Sequence, residues 1–121
     1  MSVISGKRVL VVEDEAMVAG MVEDMLVEFG ATVVGPVASV ARALAICETE
    51  TIDAAVLDVN LGGERIDEVA TLLAARGVPL VLATGYGTSV AQAWPGAQVI
   101  DKPYARGKLE AALIAAFAAK T

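Results

Sequence analysis

Five polar residues each stand at the end of an apolar run: Glu13 and Asp14 after RVLVV, Asp58 after AAVL, Thr84 closing PLVLAT, and Lys102 after QVID. If those runs are parallel strands of one open sheet, their ends meet on the rim where α/β sheets hold ligands. Three carboxylates gathered there would repel and raise each other's pKa unless something positive intervenes. A hard divalent cation does that through oxygen ligands, and Mg²⁺ (or Mn²⁺) in such a site takes one or two carboxylates, waters and a phosphate oxygen. The Lys102 ammonium and the Thr84 hydroxyl would then face the far side of the same pocket. Such a pocket can hold a phosphoryl group. Cation and ammonium neutralise its equatorial oxygens, the hydroxyl donates a hydrogen bond, and Asp58 attacks in line. Aspartate is a weak nucleophile, so the pocket's contribution is chiefly electrostatic.

The elements that must position these residues follow from periodicity and punctuation. Residues 8–12 predict a first buried strand, and 16–29 a helix stopped by Gly30. Residues 31–35 predict a second strand broken by Pro36, after which Ser39 caps a helix over 40–49. The third strand, 53–57, runs into Asp58, and Asn60, Gly62 and Gly63 mark the loop beyond it. A helix over 64–76 ends at Gly77, and Pro79 opens the fourth strand. The Gly-rich turn GYGTS and a short fourth helix near 90–94 come next, closed by Pro95-Gly96. Residues 98–101 form the fifth strand, and a last helix over 106–120 carries Leu109, Leu113, Ala116 and Phe117 on one face. Strict alternation of this kind implies an α/β fold: a five-stranded parallel sheet with right-handed crossovers and helices on both faces. The common flavodoxin-like order, 2-1-3-4-5, makes the first, third, fourth and fifth strands neighbours. The rival dinucleotide fold wants GxGxxG after the first strand, where this chain has EDEAMV.

Composition narrows the function. The 121 residues make one domain, 56% hydrophobic but only 4% aromatic, which suits a Val/Ile/Leu sheet under Ala-rich helices. A net charge of −6 with nine basic residues and no lysine-rich run argues against nucleic-acid binding. Having no histidine, the chain has no Ser-His-Asp or Cys-His machinery. The lone Cys47 leaves no internal disulfide or thiolate metal cluster and fits a reducing, cytoplasmic setting. No apolar run reaches the ~18 residues of a membrane span, and MSVISGKRVL is charged too early for a signal peptide.

Taken with VLVVEDE, VLDVNLGG, ATG and DKP in order, these residues resemble the receiver domains of two-component response regulators, the CheY-like family, over essentially the whole chain. The resemblance implies that Asp58 accepts a phosphoryl group from a sensor histidine kinase or phosphotransfer protein. It implies that Glu13 and Asp14 bind Mg²⁺, with Asp14, Asp58 and the Asn60 main-chain carbonyl as direct ligands. Lys102 would contact the phosphoryl group, with a cis bond to Pro103, and Thr84 would be the switch hydroxyl. The expected protein is a single receiver over residues 1–121, not a conventional enzyme, acting on a downstream protein target. Two departures stand out. The aromatic switch residue three positions before the lysine is replaced by Val99, and VPLVLATGYGT is similar to the PFxFATGYG signature of a mainly alphaproteobacterial subgroup. Tyr86 is a candidate substitute for the missing aromatic, and Tyr104 is also near. In the family, the positions of Asn60 and Tyr86 tune dephosphorylation.

The same residues admit plainer readings. An acidic triplet at a helix start suits the helix dipole, but the shared edge with Asp58 and Lys102 favours a site. Asp58 could cap the next helix, yet Glu64 lies too far downstream. Thr84 could be an ordinary turn hydroxyl and Lys102-Pro103 a surface turn. The Met17/Met21/Met25 stripe reads as core packing, and Cys47 as a small buried hydrophobe. Trp94 fits either packing under the fourth helix or a partner-facing patch, while Arg106 and Lys108 read as solvated. The rivals in function are an aspartyl-phosphate phosphatase, whose DxDxT pattern is missing here, a degenerate receiver used for docking, and a segment of a hybrid histidine kinase.

Overall fold

A computed structural model of the chain describes residues 3–61, 64–84, 97–102 and 104–120. The strands are β1 (Arg8–Val12), β2 (Thr32–Val37), β3 (Ala54–Asp58), β4 (Asn60–Leu61), β5 (Glu64–Arg65), β6 (Leu80–Thr84) and β7 (Gln98–Asp101). The helices among the described residues are α1 (Ala16–Glu28), α2 (Val40–Thr49), α3 (Asp67–Ala75) and α4 (Arg106–Lys120). The main sheet is parallel in the order β2-β1-β3-β6-β7, which is the expected 2-1-3-4-5 once the small β4–β5 ribbon is set apart.

Alternation along the strands builds two cores. Val9, Val11, Ala54, Val56, Val81 and Ala83 face α1 and α4, where they meet Val22, Leu26, Leu109 and Leu113. Leu10, Val12, Ala55, Leu57, Leu80 and Leu82 face α2 and α3, against Ala43, Cys47, Val69 and Leu73. Every residue of β3 and β6 is buried, so these strands are apolar on both faces, as central parallel strands must be. Burying a Leu such as Leu57 contributes about 2 kcal/mol. A carboxylate at the end of such a strand therefore stands on a rigid base. Among the described residues no helix is long and apolar enough to cross a membrane.

Three local expectations are corrected. Pro36 does not break the second strand: β2 continues through a cis Gly35–Pro36 bond to Val37. It can do so because β2 is an edge strand, where a proline removes no ladder bond. Gly35 has φ +92°, and a Cβ there would lie 2.9 Å from the Val37 nitrogen, so only glycine fits. The third helix starts at Asp67, not Glu64, because residues 64–65 pair antiparallel with Asn60 and Leu61. Buried Leu61 and Ile66 pin the two ends of that ribbon. The methionine stripe is not core packing as a whole. Met17 is 84% exposed and Met21 44%, while the buried stripe of α1 is Ala19, Val22 and Leu26, with Val18 and Met25 against it. Ser39 does cap α2, accepting the Arg42 amide at 3.2 Å, and Cys47 is buried. The expected fourth helix near 90–94, with Trp94, lies outside the described residues.

Candidate functional site

Strand register brings the polar residues to one rim. Glu13 follows β1, and its amide donates to the Val37 carbonyl at 3.0 Å, so the continuation of β2 past Pro36 fixes where Glu13 leaves the sheet. Asp58 ends β3 opposite Ala83 of β6, and the Val59 amide donates to the Ala83 carbonyl at 3.0 Å. Thr84 ends β6 opposite Asp101 of β7, and its carbonyl accepts the Lys102 amide at 3.1 Å. Backbone ladder bonds thus set the spacing before any side chain interacts.

The side chains close the arrangement. The Lys102 ammonium lies 2.8 Å from Asp58 Oδ2 and 3.1 Å from Glu13 Oε1, bridging carboxylates of two neighbouring strands. Glu13 is 2% exposed, Asp58 3% and Thr84 1%, and no other polar side chain is so fully buried among the described residues. Burying charge is costly unless it is paired, and here one cation serves two acids. Burial pushes the Glu13 carboxyl up to about 7, its hydrogen bond and charge contact with Asp58 push the same way, and the Glu15 amide and Lys102 pull against them. For Lys102 burial works downward, yet Asp58 and Glu13 outweigh it and hold the ammonium above its ordinary value.

Asp14 is exposed at the edge of this cluster. Carboxylate oxygens of Glu13, Asp14 and Asp58 all lie within 4.8 Å of one another. Such a set of hard oxygen donors, with one ammonium against three acids, fits a divalent cation of the Mg²⁺ kind. Asn60 stands two residues past Asp58 in β4, its backbone paired with Arg65. Val99 is half-buried in β7 opposite Leu82 and packs on the α2–α3 side of the sheet. Tyr104 is 6% exposed in the opposite core. Tyr86 and the peptide bond to Pro103 lie outside the described residues. One feature escaped the sequence: the Lys102 bridge reaching Glu13 as well as Asp58.

The deciding comparison concerns the whole frame. Residues 9–114 match the model of the response regulator receiver domain. The chain belongs to that family. This receiver is similar to SdrG from Sphingomonas melonis Fr1, whose solution structure is 44% identical, has a TM-score of 0.80, and covers 95% of this chain and 98% of that one. The BeF3-activated conformation of SdrG, from Pseudomonas melonis Fr1, is 43% identical with a TM-score of 0.78, over 93% of this chain and 98% of that one. PhyR from Brucella abortus, at 22% identity and TM-score 0.83, shares the fold, with 93% of this receiver matched to 48% of that chain. No curated protein matches the chain. A receiver is the response regulator's part in two-component signalling, and it is a phosphoacceptor, not a classical enzyme.

Proposed function

We propose that this receiver takes a phosphoryl group onto Asp58 from the phosphohistidine of a sensor kinase or phosphotransfer protein, changes its surface, and so regulates a protein partner. An Asp58 carboxylate oxygen attacks phosphorus in line, the P–N bond of the donor breaks, and the imidazole leaves. Water later cleaves the acyl phosphate and resets the protein. The observation that carries the reading is Asp58 itself: a buried carboxylate on a rigid strand end with the Lys102 ammonium 2.8 Å from Oδ2. The ammonium is placed to meet the incoming negative oxygens. Thr84, one strand over, supplies the hydroxyl for the third oxygen, and Tyr86, Val99 and Asn60 occupy tuning positions. Support also comes from a 43%-identical relative that adopts a BeF3-activated conformation. The net charge of −6 favours a protein output over direct nucleic-acid binding.

Mg²⁺ would be held by Asp14, Asp58 and the Asn60 carbonyl, with Glu13 close behind, and when bound it would neutralise phosphoryl oxygens. Glu13 then gives the site a pH dependence. Its pKa is raised from 4.5 to about 7, so in the metal-free protein its contribution to stability is fully present below pH 4.5 and is lost as pH rises through about 7. A cation favours the ionised form and displaces that proton. Mg²⁺ affinity should therefore rise about tenfold between pH 6 and pH 8, the factor expected for one displaced proton. Isothermal titration at the two pH values measures it, and Glu13→Gln should flatten the dependence.

The function itself is tested by mass spectrometry after incubation with acetyl phosphate and Mg²⁺. One acid-stable, base-labile phosphoryl group should appear, and Asp58→Asn should abolish it. No adduct, even with a cognate kinase as donor, would leave a docking module. Rapid multiple turnover on phosphate esters would indicate a phosphatase.

A further inference from the structure

The α2–α3 side of the molecule carries a groove that the phosphoacceptor site does not use. On α3, Val69, Ala70 and Leu73 form the buried stripe. Beside it, Glu68, Thr71, Leu72 and Ala75 recur at i, i+3, i+4 and i+7, which makes a second helical face. Those four residues, with Asp67 and with Leu44 of α2, line a cavity of about 630 Å³. Leu44 and Leu72 are only half-buried, packed on the core beneath, while Glu68, Thr71 and Ala75 are exposed. The cavity is therefore a groove open to solvent, with two leucines at its floor.

The two ends of the groove differ in charge. Asp67 and Glu68, in the first turn of α3, put carboxylates at one end. At the other, just past Ala75, the Arg76 guanidinium reaches across to α2 and donates to the Cys47 carbonyl at 2.8 Å. Asp67 to Ala75 covers roughly 12 Å of helix at ~1.5 Å per residue, room for about two turns of a second helix. A small ligand needs a pocket that buries most of its surface, which an open groove does not provide. An amphipathic helix lays its apolar face on such a floor and leaves the other face in water. The acidic end selects positive charge in that helix, and the same carboxylates repel a nucleic-acid backbone.

We propose that this groove is where the regulated protein partner docks, as an amphipathic helix with apolar anchors on one face and Lys or Arg at the end that meets Asp67 and Glu68. This rests on the function proposed above and gives its partner a chemistry. The route from the phosphoacceptor is short. The β4–β5 ribbon follows Asp58 and leads into α3. Its buried Leu61, and Ile66 just beyond it, pack in the same core as Leu44 and Leu72. The Ile66 carbonyl accepts the Ala70 amide at 3.0 Å in the first turn of α3. A movement of the ribbon on phosphorylation therefore reaches the acidic end of the groove first.

The test is an NMR titration of the full isotope-labelled chain with a short helical peptide that has leucines at i, i+4 and i+7 and lysines at one end. A control peptide carries glutamates in place of the lysines. The lysine peptide should shift amides of α2 and α3 around Leu44 and Leu72, and bind about tenfold more tightly than the control. Leu72→Ala, which removes an anchor, should weaken binding about tenfold. Glu68→Lys should erase the preference for the lysine peptide. Glu68 is exposed, so this variant decides the matter even if Leu72→Ala loses stability. Shifts confined to other surfaces, or equal affinity for the two peptides, overturn the proposal. So do groove shifts that grow with protein concentration before any peptide is added, because a second copy of the chain then fills the groove. Phosphorylation by acetyl phosphate and Mg²⁺, verified by mass, should change the peptide affinity about threefold or more. An affinity that phosphorylation leaves unchanged overturns the groove as the regulated surface. If no phosphoryl adduct forms, the proposed function fails, while the two peptides still decide whether the groove takes a basic helix.

Discussion

Replacing Lys102 with Met is expected to destabilise the metal-free protein by about 3 kcal/mol at pH 8, the cost of removing one partner from a buried ionic cluster. For a domain of this length that corresponds to a fall of about 10 °C in melting temperature. The reason is local. Lys102 Nζ sits 2.8 Å from Asp58 and 3.1 Å from Glu13, and both acids are nearly without solvent contact. Met keeps the volume and removes the charge, leaving two buried carboxylates facing each other.

The loss should shrink at pH 6. Glu13 already holds its proton more tightly than an ordinary glutamate because of burial and Asp58, and removing the ammonium strengthens that tendency. A protonated Glu13 can donate to Asp58, which restores part of what the lysine provided. Mg²⁺ at pH 8 should also restore part of the stability, by putting positive charge back among the acids. Thermal melts at the two pH values, with and without Mg²⁺, check all three statements. An equal loss at both pH values would mean that Lys102 contributes through its aliphatic stem, and the charge argument would be wrong. Phosphorylation should suffer more than stability, since the ammonium that meets the incoming oxygens is gone even when Mg²⁺ has rescued the fold.

Much of this was legible before any coordinates, for identifiable reasons. The four runs that carry the site are short and closed by a polar residue, and those of β1, β3 and β6 are almost wholly buried, so their type and end were readable, and strict alternation left few topologies. Gly30 and Gly77, both at positive φ, mark the ends of α1 and α3. What misled was punctuation with two meanings. Pro36 is a strand breaker in a central strand but tolerable in β2 at the edge, and edge position is a tertiary fact. Residues 60–61 and 64–65 form two-residue strands, too short to show a period of two. The methionines at i, i+4 and i+8 share one helical stripe, but the neighbouring stripe through Val22 and Leu26 faces the sheet. At the site, residue types and strand ends announced Asp58 and Lys102. That Lys102 would bridge to Glu13, 89 positions away in sequence, depends on how two non-adjacent strands are staggered, and no local pattern encodes that.

Asp58→Asn should move stability the opposite way from Lys102→Met. Neutralising Asp58 removes the cost of burying its charge and its repulsion with Glu13, and it leaves Lys102 paired with Glu13 at 3.1 Å. The contact given up is the 2.8 Å approach of Lys102 to Oδ2, and an amide oxygen at the same place still accepts from the ammonium. The metal-free protein should therefore gain about 1 kcal/mol at pH 8, the usual scale when a charge kept for function is removed. The same substitution should reduce the Mg²⁺-dependent rise in melting temperature, because one of the three carboxylates within 4.8 Å is lost. Stability and function are in conflict at this position, as expected where like charges are held together for a ligand. A metal-free Asp58→Asn protein that melts below the wild type would show that attraction to Lys102 outweighs burial and repulsion. In that case the acids are not strained against one another, and the cation would be an addition to a balanced cluster instead of its missing partner.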